Sequence, residues 1–549
     1  MFRNFRRALL GLVVTASSIV VVPLTASVAS ASSGAIDGST WSPASGGFAK
    51  FAMTFTENST SVTFKAKTAV ETSSGGILVA GHVGDIGTFA TEFALVRITS
   101  SGVVDTAFDG NGLKILDRGA GYGAADFIQS SGSNYFVGGW SGTTSNRRAA
   151  VVKVNESGEI DSQWGSSGWA EASSAHARYE GAATGKEGDK AFFVDGTQIV
   201  MWSEDSASTE IIVHRFNVST GQLMAAGGPI VNPVTINRAN IFGFDSNQIP
   251  NSPETFVMLS NTTMLVATST GGAMANAKLF KVDLGVNPVA LDATYGTNGS
   301  LETNVKSFHL EDFRFGKNNS YNTRVFLAGS SISPDSYVVR LNTDGTVDTA
   351  SFGPNQWGNL TNFPGYLEIL NFNLRFGDFE FLADGEMLIS GAGPGSNYQL
   401  RKYNTTTNGS SNSLFGNGGQ QGVVSISPTC NVIESGWLVP ISGGSNFFLM
   451  GPKSFTVNQA TVNGFAALKF VGSGEAATAC SGQPADIQVS YGQPSYSGTA
   501  MQQLVIPAPN ISGNLGSVLF TVNNLFQSLP SGLTISPSTG QISGSPASS

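Results

Sequence analysis

The feature that most restricts this chain is a sevenfold internal repeat. An apolar run ending in a small residue recurs as Ile77-Leu78-Val79-Ala80-Gly81, Tyr135-Phe136-Val137-Gly138-Gly139, Ile199-Val200-Met201-Trp202-Ser203, Met264-Leu265-Val266-Ala267-Thr268, Val325-Phe326-Leu327-Ala328-Gly329, Met387-Leu388-Ile389-Ser390-Gly391 and Phe447-Phe448-Leu449-Met450-Gly451. Between their last residues the spacings are 58, 64, 65, 61, 62 and 60. A fixed period of this size marks an array of like units rather than a string of independent domains.

Each run is followed by an apolar strand with one basic residue before its end: Arg97, Lys153, Arg215, Lys281, Arg340, Lys402 and Lys469. A turn follows, then an acidic or amide residue, an aromatic three or four positions on, and glycine. The copies are Asp105 to Phe108 with Gly112, Asp161 to Trp164 with Gly165 and Gly168, Asp292 to Tyr295 with Gly296 and Gly299, Asp348 to Phe352 with Gly353, and Asn412 to Phe415 with Gly416 and Gly419. The third copy is reduced to Gly221-Gln222-Leu223, and the seventh lacks the motif.

Short runs of Val, Ile, Phe and Tyr between Gly, Ser, Asn and Asp clusters predict about four antiparallel strands per unit. A lone four-stranded sheet of this kind leaves apolar faces wet, whereas radial stacking buries both. The expected fold class is therefore all-β, a seven-bladed β-propeller. Composition agrees: only 12% of residues are charged, while glycine (67) and phenylalanine (36) are abundant.

The stretches Leu95 to Phe108 and Val338 to Thr349 resemble the delta-60 repeat, and the resemblance extends over about residues 65–480. It implies a β-propeller on a bacterial exported protein and carries no agreed activity. Closure is predicted from both ends, with Ala49–Phe55 adding to the last blade as its outer strand so that no edge is left open. Cys430 and Cys480 flank that last unit. A bridge between them would staple it, contributing roughly 4 kcal/mol in the chain-entropy account; two buried thiols are the alternative.

From Pro484 onward Lys and Arg disappear and proline accumulates. The segment Leu529 to Pro546 is similar to the core motif of a bacterial immunoglobulin-like domain related to cadherin folds. Two further strands normally follow that motif, so the expected sandwich is incomplete and the sequence reads as a fragment of a longer surface protein. The organisation expected is a signal peptide at 1–31, the propeller at 32–483 and the immunoglobulin-like domain at 484–549.

The signal peptide is read from Arg3, Arg6 and Arg7, the apolar stretch Ala8 to Val22 and the small-x-small site Ala29-Ser30-Ala31. Its removal takes three arginines and no acid, leaving the chain more acidic than its net charge of −9. Sparse, scattered cations argue against nucleic acid as a partner, and no other stretch is long and apolar enough to predict a membrane span.

Candidate chemistry is thin. His82, His176, His214 and His309 lie in different repeats without zinc-ligand spacing. Asp105, Asp161, Asp292 and Asp348 could serve as paired catalytic acids, yet they occupy one position of a repeated turn, where a carboxylate accepts backbone N–H bonds. The seven cations form either an anion-holding ring or polar partners of those aspartates. Phe108, Trp164, Tyr295, Phe352 and Phe415 are read as packing between blades. Asp109-Gly110-Asn111-Gly112 and Asp344-Gly345 resemble pieces of calcium loops, though neither supplies six to eight oxygens; no cofactor is expected beyond that structural-calcium alternative. The function expected is binding or adhesion at the cell surface or after secretion. The partner, an extracellular protein or glycan, meets the loops of the ring, with insertions at Val231–Pro253 and Phe352–Arg375 as candidates. The alternative is a propeller enzyme acting on a glycan through acids in the central channel.

Overall fold

The computed structural model describes residues 35–36, 48–57 and, with breaks at several connections, 60–545; its longest unbroken stretches are 60–85, 90–118, 122–142 and 148–172. The expected signal segment at 1–31, Cys430, Cys480, His176 and His309 lie outside the described residues, as do Phe352, Asn412 and Phe415 of the repeated turn. Every described element is a β-strand.

Among the described residues, seven sheets of four or five antiparallel strands follow the seven sequence repeats. The first sheet comprises Thr54–Glu57, Thr60–Glu71, Ile77–Asp85, Ala90–Ile98 and Leu113–Ile115, and the second Gly123–Ser131, Asn134–Ser141, Arg148–Val154 and Trp169–Glu171. The third to sixth repeat this plan, opening with Phe192–Val194, Thr255–Met258, Arg314–Phe315 and Phe376–Phe381.

The apolar runs show no polar alternation because both of their faces are covered. In the first sheet Ile77 and Val79 enter a cluster with Trp437, Phe448 and Phe465 of the seventh sheet. Leu78 and Ala80 point the other way, into a cluster with Val137, Ala150 and Trp169 of the second. The same division holds further round, where Ile199 and Met201 pack toward the second sheet and Val200 toward the fourth. Leu265 and Ala267 then pack with Val339 and Leu341 of the fifth. The sixth sheet meets the seventh through a hydrogen bond from the Leu438 N–H to the buried Asp378 carboxylate, 2.9 Å. Strand contacts complete the circuit between the fifth and sixth.

In three sheets the small residue that ends the run is explained by the strand before it. The strands preceding the run in sheets one, two and six carry a bulge opposite that position, between Ala66 and Thr68, Ala125 and Phe127, and Phe376 and Asp378. A Cβ on Gly81 would lie 2.0 Å from the Lys65 carbonyl oxygen, and one on Gly139 1.9 Å from that of Ala124. The bulged backbone occupies the space a side chain needs.

Closure uses both ends of the ring. The seventh sheet comprises Trp437–Pro440, Phe447–Val457 and Ala460–Val471 from the last repeat, and Phe48–Ala52 pairs antiparallel with its outer strand, Phe48 opposite Leu468 and Phe51 opposite Phe465. Ala35–Ile36 extends the same edge. The expected closing strand, Ala49–Phe55, is divided at Met53: its second part, Thr54–Glu57, forms a hairpin with Thr60–Glu71 in the first sheet. Met53 turns the chain, and its carbonyl accepts the Phe64 N–H at 2.7 Å. One short segment therefore ties the last sheet to the first.

Beyond residue 484 the described strands form two small sheets, Gln488–Ser490 with Asn510–Ser512, and Leu504–Ile506, Ile542–Gly544 and Leu533–Ile535. Among the described residues no helix is long and apolar enough to cross a membrane.

The closing strand is anchored by Phe51, buried against Phe465 with ring centroids 6.3 Å apart. Truncation of Phe51 to Ala is expected to cost about 3 kcal/mol of unfolding free energy, read from urea denaturation. Thr54→Ala, two residues past that strand, is expected to change little.

Candidate functional site

The repeated cation and the repeated aspartate meet in space. Arg97 donates from Nε to Asp105 Oδ2 at 2.8 Å, and Lys153 reaches Asp161 Oδ2 at 2.8 Å. Lys281 and Asp292 are 3.0 Å apart, and Arg340 holds Asp348 with two nitrogens at 2.9 and 3.0 Å. The cation stands near the end of its sheet's third strand and the aspartate enters the following turn, so a single hairpin end brings them together.

The other oxygen of the aspartate builds the turn. Oδ1 accepts the N–H two residues on, from Ala107, Gln163 and Thr294 at 3.1, 3.2 and 3.0 Å. The backbone repeats one pattern in these three copies. The aromatic N–H donates to the aspartate carbonyl at 2.9 Å each time, and a glycine N–H, from Gly112, Gly168 or Gly299, donates to the aromatic residue's carbonyl at 2.7–2.8 Å. Those glycines have φ of +93°, +91° and +85°, and a Cβ on any of them would strike Val104, Ile160 or Leu291 within 2.5 Å.

Each aromatic then projects into the seam with the following sheet. Phe108 lies in the cluster shared with the second sheet, Trp164 in that shared with the third and Tyr295 in that shared with the fifth. Trp164 also donates from Nε1 to the Val218 carbonyl at 2.8 Å, and Arg97 sits 4.8 Å over the Phe108 ring. Cation, carboxylate, glycine and aromatic together join a turn to its own sheet and to the next.

Where the aspartate is missing, another acceptor takes its place. Arg215 binds the Gln198 side-chain oxygen at 2.8 and 2.5 Å and the Asn261 carbonyl at 2.7 Å. Lys402 is paired with Glu386 at 2.6 Å. Gln198 and Glu386 occupy the same repeat position, immediately before the apolar run, where the other copies carry Gly76, Asn134, Thr263, Arg324 and Asn446. Sequence reasoning passed over this substitution, although a long acceptor side chain, Gln or Glu, stands there in the third and sixth copies alone. Lys469 is half-buried on the outer strand of the last repeat, opposite Phe448. Glu156 was also missed: its carboxylate accepts hydrogen bonds from the Ser73 and Ser74 hydroxyls across the first seam.

The remaining candidates fall elsewhere. The Asp109 carboxylate is engaged by Lys114 at 2.7 Å, and the Asn111 side chain is bonded to the Leu113 N–H and to Glu57. His82 and His214 are buried in different sheets. Hydrogen bonding from Lys153 holds the Asp161 carboxyl below its usual range, and Thr294 followed by Lys281 does the same for Asp292. Among the described residues no three His, Cys, Asp or Glu side chains gather as a metal-binding group.

Burial decides what each pair is worth. Arg340 and Asp348 are 0% and 5% exposed, while Asp161 is 37% exposed. Asp348→Ala strands a buried guanidinium and is expected to cost about 3–5 kcal/mol; Asp161→Ala, screened by water, is expected to cost less than about 1 kcal/mol. Urea unfolding of the two variants side by side checks the contrast. Because the folded state holds Asp161 and Asp292 ionised more readily than the unfolded chain, their contribution is present above about pH 3.8 and fades as pH falls below it.

Comparison with known proteins follows this geometry. A family model described as a β-propeller domain of unknown function (DUF5122) matches residues 324–350, the stretch that contains Arg340 and Asp348. No curated protein matches the chain at significant similarity. Similar solved structures include a GH43 β-xylosidase/α-arabinofuranosidase from a compost microbial metagenome (11% identity, TM-score 0.26, covering 52% of this chain and 93% of that one). Another is the polysaccharide lyase Uly1 (10% identity, TM-score 0.39, covering 74% and 90%). A third is the acylaminoacyl peptidase of Pyrococcus horikoshii (8% identity, TM-score 0.34, covering 70% and 49%), so the chain spans about half the length of that enzyme. The chain contains a β-propeller domain.

Proposed function

We propose that the ring is a seven-bladed propeller of the delta-60 type, carried with an immunoglobulin-like tail module on an exported protein that binds a partner at the cell surface or after secretion. The observation that carries this reading is where the repeated charges go. Arg97, Lys153, Arg215, Lys281, Arg340 and Lys402 are each bound to a side chain of their own unit, and Asp105, Asp161 and Asp292 are spent on those cations and on turn N–H groups. The one charge pattern common to the whole ring thus fixes turns and seams. Recognition is left to the connections that differ between units, as is usual for loops on a rigid scaffold.

Connectivity separates the two insertions. Residues 238–254 join the outer strand of the third sheet, Val234–Asn237, to the first strand of the fourth. Residues 343–365, which include the Asp348 turn and the 350–365 insertion, instead join the third strand of the fifth sheet, Ser336–Asn342, to its outer strand, Tyr366–Ile369. Successive antiparallel strands end on alternate sides, so the two insertions leave from opposite sides of the ring. Of the two insertions, we take the 350–365 segment, whose sequence includes Trp357 and Phe363, as the recognition element.

A glycan array and an extracellular-protein panel, probed with the mature chain, test this. The expected result is binding without product release, lost when residues 352–364 are replaced by a short Gly/Ser loop. Release of a shortened glycan would favour the enzyme alternative, and binding that survives the loop exchange would move recognition off this side.

A further inference from the structure

His82 and Thr91 are fully buried, and among the described residues neither imidazole nitrogen nor the Thr91 hydroxyl has a hydrogen-bond partner. Leaving such groups unpaired costs about 1–3 kcal/mol each, so their joint occurrence marks a built feature. Register pairs His82 with Phe93 and Thr91 with Gly84. Strand alternation therefore puts both side chains on the face that sends Leu78, Ala80 and Phe93 into the first-to-second seam. The opposite wall is apolar: Val137, Ala150 and Trp169, with Trp169 edge-on to Phe93 at 5.1 Å. Packing is close, since a Cβ on Gly123 would lie 2.8 Å from the Phe93 ring.

Among the described residues no acidic group is hydrogen-bonded to the imidazole. On its own sheet Lys65 stands directly opposite His82 and Lys67 occupies the neighbouring bulge; Glu92 alternates to the other face, toward Asp117. On the facing sheet Asp126 sits buried in the bulge of Gly123–Ser131, and Arg148 and Glu171 lie at the strand ends, Glu171 taken up by Arg118 and Ser141.

We propose that His82 is an acid-sensitive lock on the seam between the first and second sheets: the neutral ring seals the joint, and a protonated ring must leave it, opening the seam. Burial, then Lys67 and Lys65, holds the histidine at about 3 in place of the usual 6.5. The opened seam consequently binds more protons than the closed one. Stability of the joint rises with pH between those values and is lost as pH falls from 6.5 toward 3, about tenfold per unit.

Hydrogen–deuterium exchange of the mature chain at pH 7 and pH 4.5, corrected for intrinsic rates, tests the proposal. Peptides from Ile77–Asp85 and Asn134–Ser141 are expected to lose roughly 100-fold of their protection at the lower pH. His82→Leu and His82→Gln are expected to abolish most of that loss, and Thr91→Val to leave it intact. An equal pH dependence in wild type and both His82 variants would overturn the lock. A measurement that needs no variant is NMR titration of the four imidazoles: one is expected to stay neutral to well below pH 5, and titration of all four near 6.5 would overturn it equally.

Discussion

Everything in this fold follows from sheets that are apolar on both faces. Ile77 and Val79 need one neighbour while Leu78 and Ala80 need another, so no sheet is stable alone and a row of them would leave two faces wet. At about 1.5–3 kcal/mol for each large apolar side chain buried, an open row sacrifices the better part of two seams. A ring removes that loss only if it closes. Closure here falls to Phe48–Ala52, which completes the last sheet and passes through Met53 directly into the first. A strand drawn from the far end of the repeat array makes separation of the two end sheets cost backbone pairing as well as apolar contact.

A second layer of organisation is polar. At Asp105, Asp161 and Asp292 one carboxylate oxygen is spent on a cation and the other on the backbone, which leaves little of the group for a ligand. The third and sixth copies make the constraint visible: the turn residue changes, and an acceptor appears before the apolar run to meet the same cation, Gln198 for Arg215 and Glu386 for Lys402. What recurs is satisfaction of a buried or half-buried cation by whichever neighbour can reach it. On the proposed reading, ligand recognition falls to the segments that the repeat does not constrain.

Much of this was legible in the residues. The period, the four-strand unit and the closing segment were readable because burial on both faces writes continuous apolar runs, and tight turns write glycine and aspartate at fixed offsets. The division of the closing segment at Met53 was not readable, since Phe51 and Phe55 look alike in sequence and differ only in which sheet receives them. The bulges behind Gly81 and Gly139 left a trace, the small residue ending each run, whose cause lies in a different strand. Gln198 and Glu386 were overlooked because they act on a diagonal partner across a hairpin, a relation that register reveals. For His82, nothing in composition or spacing distinguishes an unpaired histidine from a satisfied one.

Closure is the claim on which the account rests, and native-state hydrogen exchange of the amides of Phe48–Ala52 tests it most directly. The account predicts that these amides exchange as slowly as those of Ala460–Val471, their hydrogen-bonded partner, because both are released only when the ring opens. Exchange at the rate of an unstructured peptide, with Ala460–Val471 still protected, would contradict it.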